Sequence, residues 1–173
     1  ACDAHGRSSL PGLWVAGEVA STGLHGANRL ASNGILEALV MAERAADDIA
    51  AGLPPRKAAE VHLAPPAGGE SPDPVLIARL RGLMTARCGV IRDEAGLRAA
   101  LDDLRRMADT PQAEPVENML ATATMIAAAA LMRLESRGGH FRADYPLSDP
   151  ALARRSRLFL LDAVALRDEK VPA

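Results

Sequence analysis

Apolar positions recur with a helical period in four places along the chain. Ile35, Leu36, Leu39, Val40 and Ala46 share one face of a 3.6-residue repeat and predict a helix from about Ser32. Ser32 or Asn33 suits its cap, and Gly52 followed by Pro54 suits its end. Three further stripes follow: Leu76, Leu80, Leu83 and Met84; then Leu97, Leu101, Leu104 and Met107; then Leu120, Ala123, Ala127, Leu131 and Leu134. Gly89, the break from Thr110 to Pro115, and Gly138 separate and stop them. Three amphipathic helices with short connections predict an antiparallel three-helix bundle, because each stripe needs another to cover it.

The rest of the pattern sets the boundaries. Residues 53–74 are rich in Pro and Gly and read as a linker. Residues 75–173 are then the bundle domain, and its tail from His140 to Ala163, punctuated by prolines, reads as an extended strap. Residues 1–52 form a different unit. Leu13–Glu18 is a short apolar run of the kind that makes a buried parallel strand. A lone strand has no sheet to join, and the chain opens without Met. The expectation is a piece of a longer sequence: mainly α, with a strand–loop–helix remnant of an α/β domain ahead of the bundle.

Composition narrows the classes. Hydrophobic residues at 49% and charged ones at 24% mark a globular chain. A net charge of -2 gives no electrostatic reason to expect nucleic acid or an anionic membrane. Aromatics at 2% favour close-packed Ala and Leu helices over a β-sandwich. Cys2 and Cys88 have no metal-type spacing and are too few for a disulfide framework, so no metal and a reduced, cytoplasmic setting are expected. The apolar run Met125–Met132 is short and flanked by charge, which does not suit a membrane span.

Chemistry concentrates in "GEVASTGLHGANRLASNGILEALV", Gly17 to Val40. An apolar run, a glycine-containing loop and a helix N-terminus form a recurrent ligand site, because the free N–H groups and positive helix end attract anionic or electron-rich groups. Glu18 stands where a carboxylate holds a hydroxyl-bearing ligand in dinucleotide-binding folds. The planar fork of Arg29 suits a carboxylate ligand. Spacing alone favours a plainer arrangement, with Gly23 and Gly26 making turns and Arg29 pairing with a surface acid, because such glycine patterns are weak signals.

"GLWVAGEVASTGLHGANRLASNGILEALV" resembles the C-terminal flavin-binding segment of the L-aspartate oxidases, within the succinate dehydrogenase/fumarate reductase flavoprotein superfamily. "ESRGGHFRADYP" (Glu135 to Pro146) is similar to the segment that closes the third helix of that family's C-terminal bundle, and "GLMTARCGVIRDEAGLRAAL" to the bundle's first two helices. The resemblance makes residues 1–52 the remnant of an FAD-binding domain. It implies FAD-dependent oxidation of L-aspartate to iminoaspartate, which feeds quinolinate synthase in NAD biosynthesis. It places Glu18, Ser32, Asn33, Gly34 and Ile35 against FAD, and Arg29 on a substrate carboxylate. Gly34 departs from a serine usual in the family. The family's phosphate loop, capping domain and two further active-site residues have no counterpart in the sequence, so the chain by itself is expected to be inactive and to hold FAD poorly.

Other residues stay open to two readings. His25 lines the flavin or substrate pocket or is a structural loop histidine. His140 belongs to an interface network or caps a helix C-terminus. His5 and His62 are expected to be exposed, Met119, Met125 and Met132 to fill the core, and Arg154, Arg155 and Arg157 to be solvated. Two rival functions remain: a succinate dehydrogenase or fumarate reductase flavoprotein subunit, and a non-catalytic helical interaction module. "STGLHGANR" speaks against the first, since a serine–valine pair usually precedes the HGANR core there. An orphan strand edge also makes a homodimer, or a strand-swapped one, a natural expectation.

Overall fold

The computed structural model describes residues 2–52 and 71–169. The chain divides into two compact units, 1–64 and 65–173. Most of the segment read as a linker, with His62, lies outside the described residues.

The first unit is an irregular N-terminal arm folded onto helix α1 (Asn33–Gly52). The run Leu13–Glu18 is not a strand. Trp14 instead makes an isolated antiparallel bridge with Arg7, the Val15 N–H donates to the Gly6 carbonyl at 2.8 Å, and Gly17–Val19 turns as a 3₁₀ helix. A parallel strand needs neighbours to satisfy its backbone, and among the described residues of this unit only the arm is at hand. Gly6 makes the fold-back feasible: it sits at φ +74°, and a β-carbon there would lie 2.8 Å from the Val15 oxygen. Asp48 on α1 fastens the arm, accepting from Arg7 Nε at 2.7 Å and Trp14 Nε1 at 2.8 Å. Those two donors, Arg7 first, hold its carboxyl down at about 2.

Helix α1 covers the span expected, but its apolar stripe is not the buried face. Met41 and Ala45 are buried, whereas Ile35, Leu36, Leu39 and Val40 are exposed.

The second unit is a helical bundle of α2 (Pro74–Arg87), α3 (Glu94–Ala108), α4 (Glu114–Met132) and α5 (Leu160–Asp168). Asp73 caps α2 by accepting from the Val75 N–H, with Pro74 in the first turn, and Asp93 caps α3 by accepting from the Gly96 N–H at 2.7 Å. The predicted stripes meet in one core of Leu80, Leu97, Leu101, Leu104, Leu120, Ala127 and Leu131. Short connections make α2, α3 and α4 successive antiparallel neighbours. Helix α4 is long and apolar enough by composition to cross a membrane. Its apolarity is accounted for by the core: Val116, Leu120, Ala123, Ala127, Ala128 and Leu131 are all buried in the bundle.

Two expectations fail here. The tail is not wholly an extended strap. Its last part is α5, which packs on α4 and α3 with Ala163 fully buried. Asp162 starts it by accepting from the Phe159 N–H at 3.1 Å. Met132 is also exposed rather than core filler, because α4 ends there and Leu134 falls outside the helix.

The segment after α4 is tied down by charge. Strand β1 (Ile91–Arg92) pairs in parallel with β2 (Phe141–Arg142). Arg142 is fully buried and donates to the Ala130 and Leu131 carbonyls, both at 3.0 Å, so it caps the C-terminus of α4. Asp144 pairs with it and is held at about 2 by that bond. Glu135, also fully buried, lies between Arg133 and Arg137 and accepts from the Asp149 N–H at 2.9 Å. His140 Nδ1 lies 3.0 Å from Arg92 Nη1, and its Nε2 lies 3.3 Å from the Arg133 carbonyl. Arginine has no acceptor, so Nδ1 accepts and Nε2–H donates to the helix end.

Candidate functional site

The site is built in the first unit, at the start of α1. Gly17 (φ +77°) turns the chain so that Glu18 is exposed beside the helix. The loop then makes two successive turns, closed by the Gly26 N–H on Gly23 O and the Asn28 N–H on His25 O. Gly23 (φ +85°) and Gly26 (φ +58°) take left-handed conformations that a side chain would resist. Ser32 does the same at φ +65°, a rare conformation for a residue with a β-carbon. It directly precedes the first helical residue.

The helix start leaves the Gly34 N–H open. The Asn33 N–H turns back on Leu30 O at 3.3 Å and the Ile35 N–H on Ser32 O at 3.2 Å. The Gly34 N–H between them meets no acceptor among the described residues, and it points along the positive end of a 20-residue helix.

Glu18, Arg29, Ser32, Gly34 and Ile35 line one open cavity of about 600 Å³. His25 and Asn33 line another of about 780 Å³, with Asn28, Glu37 and Arg44 among its other walls. The residues singled out from the sequence therefore lie around one helix turn but face two hollows. Arg29 lines the first of these but is engaged with a neighbour there. Its Nη1 lies 3.2 Å from Glu18 Oε1, with the arginine about half exposed and the glutamate almost fully so.

Two contributors escaped sequence reading. Glu37 accepts from the Thr22 hydroxyl and lies 2.7 Å from His25 Nε2. Asp48 holds the arm. Each is one of several acids on an amphipathic helix, and its partners lie 12 to 41 positions away in sequence, so no local spacing marks it.

Comparison with known proteins puts these features in a family. The family described as "FAD binding domain" matches residues 1–35, and that described as "Fumarate reductase flavoprotein C-term" matches residues 108–171. Together they cover more than half of the chain. Both descriptions point to the succinate dehydrogenase/fumarate reductase flavoprotein superfamily, which the chain resembles. Within it, the chain is 48% identical over 159 residues to an L-aspartate oxidase of Rhodospirillum rubrum, covering 89% of this chain and 56% of that one. It is 44% identical over 169 residues to an L-aspartate oxidase of Agrobacterium fabrum, covering 98% of this chain and 32% of the other. The Mycobacterium smegmatis Sdh1 complex in the apo form superposes with a TM-score of 0.62 at 34% identity, covering 82% of this chain and 29% of that one. The flavoprotein chain here thus spans between about a third and just over half of these curated relatives' length.

Proposed function

We propose that the chain is the C-terminal part of an L-aspartate oxidase, which with its flavin domain complete oxidises L-aspartate to iminoaspartate. L-Aspartate gives up a hydride from Cα and a proton from its amino group, and FAD, when bound, supplies the two-electron acceptor. The residues present fit the flavin edge of such a site. The open Gly34 N–H and the positive helix end face a cavity that Glu18 also lines, and Gly34 puts no side chain in the way.

The observation that carries the reading is the placement of Arg29 and Glu18 in that one cavity. In this arrangement each occupies the other, since they are paired. A dicarboxylate substrate draws the Arg29 fork away, and Glu18 is then free to accept from a ligand hydroxyl. The exposed pair contributes only about 0–1 kcal/mol, so the exchange costs little. His25 lines the neighbouring hollow. A cytoplasmic enzyme, hand-off of the product to quinolinate synthase and pairing of two copies complete the reading.

A second reading, a fumarate reductase or succinate dehydrogenase flavoprotein, is favoured by the family description that matches residues 108–171. A chimera decides between them. The Agrobacterium fabrum enzyme is built with its matching C-terminal part replaced by this chain, and flavin reduction is followed with L-aspartate and with succinate. Aspartate-dependent reduction is expected. Reduction by succinate alone transfers the assignment to the second reading.

A further inference from the structure

One carboxylate on α1 grips the loop that delivers Arg29. Glu37 has a side chain only 10% exposed, one turn into the helix. The Thr22 hydroxyl donates to its Oε1, and His25 Nε2 lies 2.7 Å from its Oε2. The Thr22 oxygen in turn accepts from the Leu24 N–H at 3.1 Å. Directions follow from chemistry. A carboxylate only accepts, so His25 carries a proton on Nε2. For the same reason the Thr22 hydroxyl donates its hydrogen to Glu37, while its oxygen accepts from the Leu24 N–H. The carboxyl of Glu37 is held below the usual range, first by Thr22 and then by His25, which keeps it an acceptor.

These contacts fix Thr22, Leu24 and His25, and the turn bonds at Gly26 and Asn28 carry the constraint on to the residue before Arg29. Nothing comparable holds Arg29 itself: among the described residues its hydrogen-bond partner is the exposed Glu18, and its charge also acts on Glu37 at longer range. We infer that Glu37 is a positioning residue: by tying Thr22 and His25 to α1 it sets the loop from 22 to 29, and through it the place from which Arg29 reaches a substrate carboxylate. The inference rests on the reading of Arg29 as the carboxylate clamp. The chemical class served is a dicarboxylate, whose two ends must be held at a fixed distance from the helix that faces the cofactor.

The test has two arms. In the 173-residue chain, nitrogen NMR of the imidazole is expected to show the His25 proton on Nε2. Glu37→Gln and Thr22→Val are expected to shift the amides of residues 24–29 and to speed their exchange about tenfold or more, with residues 74–168 unmoved. Thr22→Ser restores what Thr22→Val loses. A proton resident on Nδ1, or an unmoved loop in Glu37→Gln, overturns the inference. In the chimera, Glu37→Gln is expected to lower kcat/KM for aspartate per bound flavin about tenfold or more, and to add nothing in an Arg29→Leu background. A purely structural brace makes the two losses add, and that result also overturns it. An inactive unmutated chimera counts against the oxidase reading alone, because the NMR arm does not depend on turnover.

Discussion

The Arg29 guanidinium stands in the space that a side chain on Gly34 would need. A β-carbon built on Gly34 would overlap Nη1 and come within 3.1 Å of Cζ. Gly34 is not in a left-handed conformation, so other residues are conformationally allowed there. Glycine at this point is therefore what lets Arg29 lie back against Glu18.

Gly34→Ser should break that pair at almost no cost. The displaced atoms are the far end of a flexible side chain, the lost pair is worth about 0–1 kcal/mol, and serine regains a few tenths of a kcal/mol of helix propensity. The melting temperature should stay level or rise slightly, while the Arg29 Nε–H resonance moves. An unmoved resonance would show that the pair does not form in solution.

Thr124 offers a clean stability test. It is 1% exposed in the middle of α4, and its hydroxyl has no partner among the described residues. A buried, unpaired hydroxyl costs about 1–3 kcal/mol. Thr124→Val keeps the shape and removes the polar atom, so unfolding by urea should require about 1 kcal/mol more. A loss of stability would mean that a water or a shifted rotamer satisfies Thr124.

Acid should loosen the bundle in two stages. Burial first, and then Arg92, Arg142 and Arg133, push His140 below its ordinary value of 6.5. Between that value and the depressed one, the unfolded chain binds a proton that the folded chain refuses. Stability therefore rises with pH across this window and falls as acid is added. Glu135 and Asp144 are both held at about 2 by their arginines. Their contribution is present above the usual carboxylate range and is lost as pH falls toward 2. His140→Gln can keep both bonds without titrating. Melting curves from pH 8 to 3 should show the first stage vanish in this variant and the second remain. An unchanged first stage would assign it to another group.

Much of this architecture is legible from periodicity, and the exceptions have physical causes. The stripes through Leu80, Leu101 and Leu120 could be read because each finds its partner within the same unit. The stripe through Ile35 and Leu39 is equally regular yet exposed, since periodicity reports a face and not what covers it. Leu13–Glu18 has strand composition, but pairing is a property of neighbours, and among the described residues Trp14 makes a backbone bridge only with Arg7. Helix α5 was hidden by the prolines and arginines before it and by its short length of 9 residues. In the site, Glu18, Arg29 and Gly34 could be named because they lie within one motif. Glu37 lies in the same stretch, but its role comes from the fold-back of the loop onto α1, which brings Thr22 and His25 to it and which no local spacing announces.

Arg29 gives the sharpest functional test. L-Aspartate carries two carboxylates, and both must be held for Cα–H to face the cofactor. A bidentate fork fixes orientation as well as charge. Arg29→Lys keeps the charge and loses the fork, whereas Arg29→Leu loses both. In the chimera, kcat/KM for aspartate should fall with Lys and fall further with Leu, while flavin remains bound in each. Losing a charged partner in a desolvated site costs about 2–5 kcal/mol, or roughly 30- to several-thousand-fold. If Arg29 only braces the loop through Glu18, a different pattern follows. Flavin content and melting temperature then drop together, and turnover per bound flavin stays near the unmutated value. Activity normalised to flavin absorbance separates the two, and near-normal normalised turnover in Arg29→Leu removes the clamp assignment. The half-exposed setting of the Arg29–Glu18 pair argues for the first pattern, since a brace so weakly held has little stability to lose.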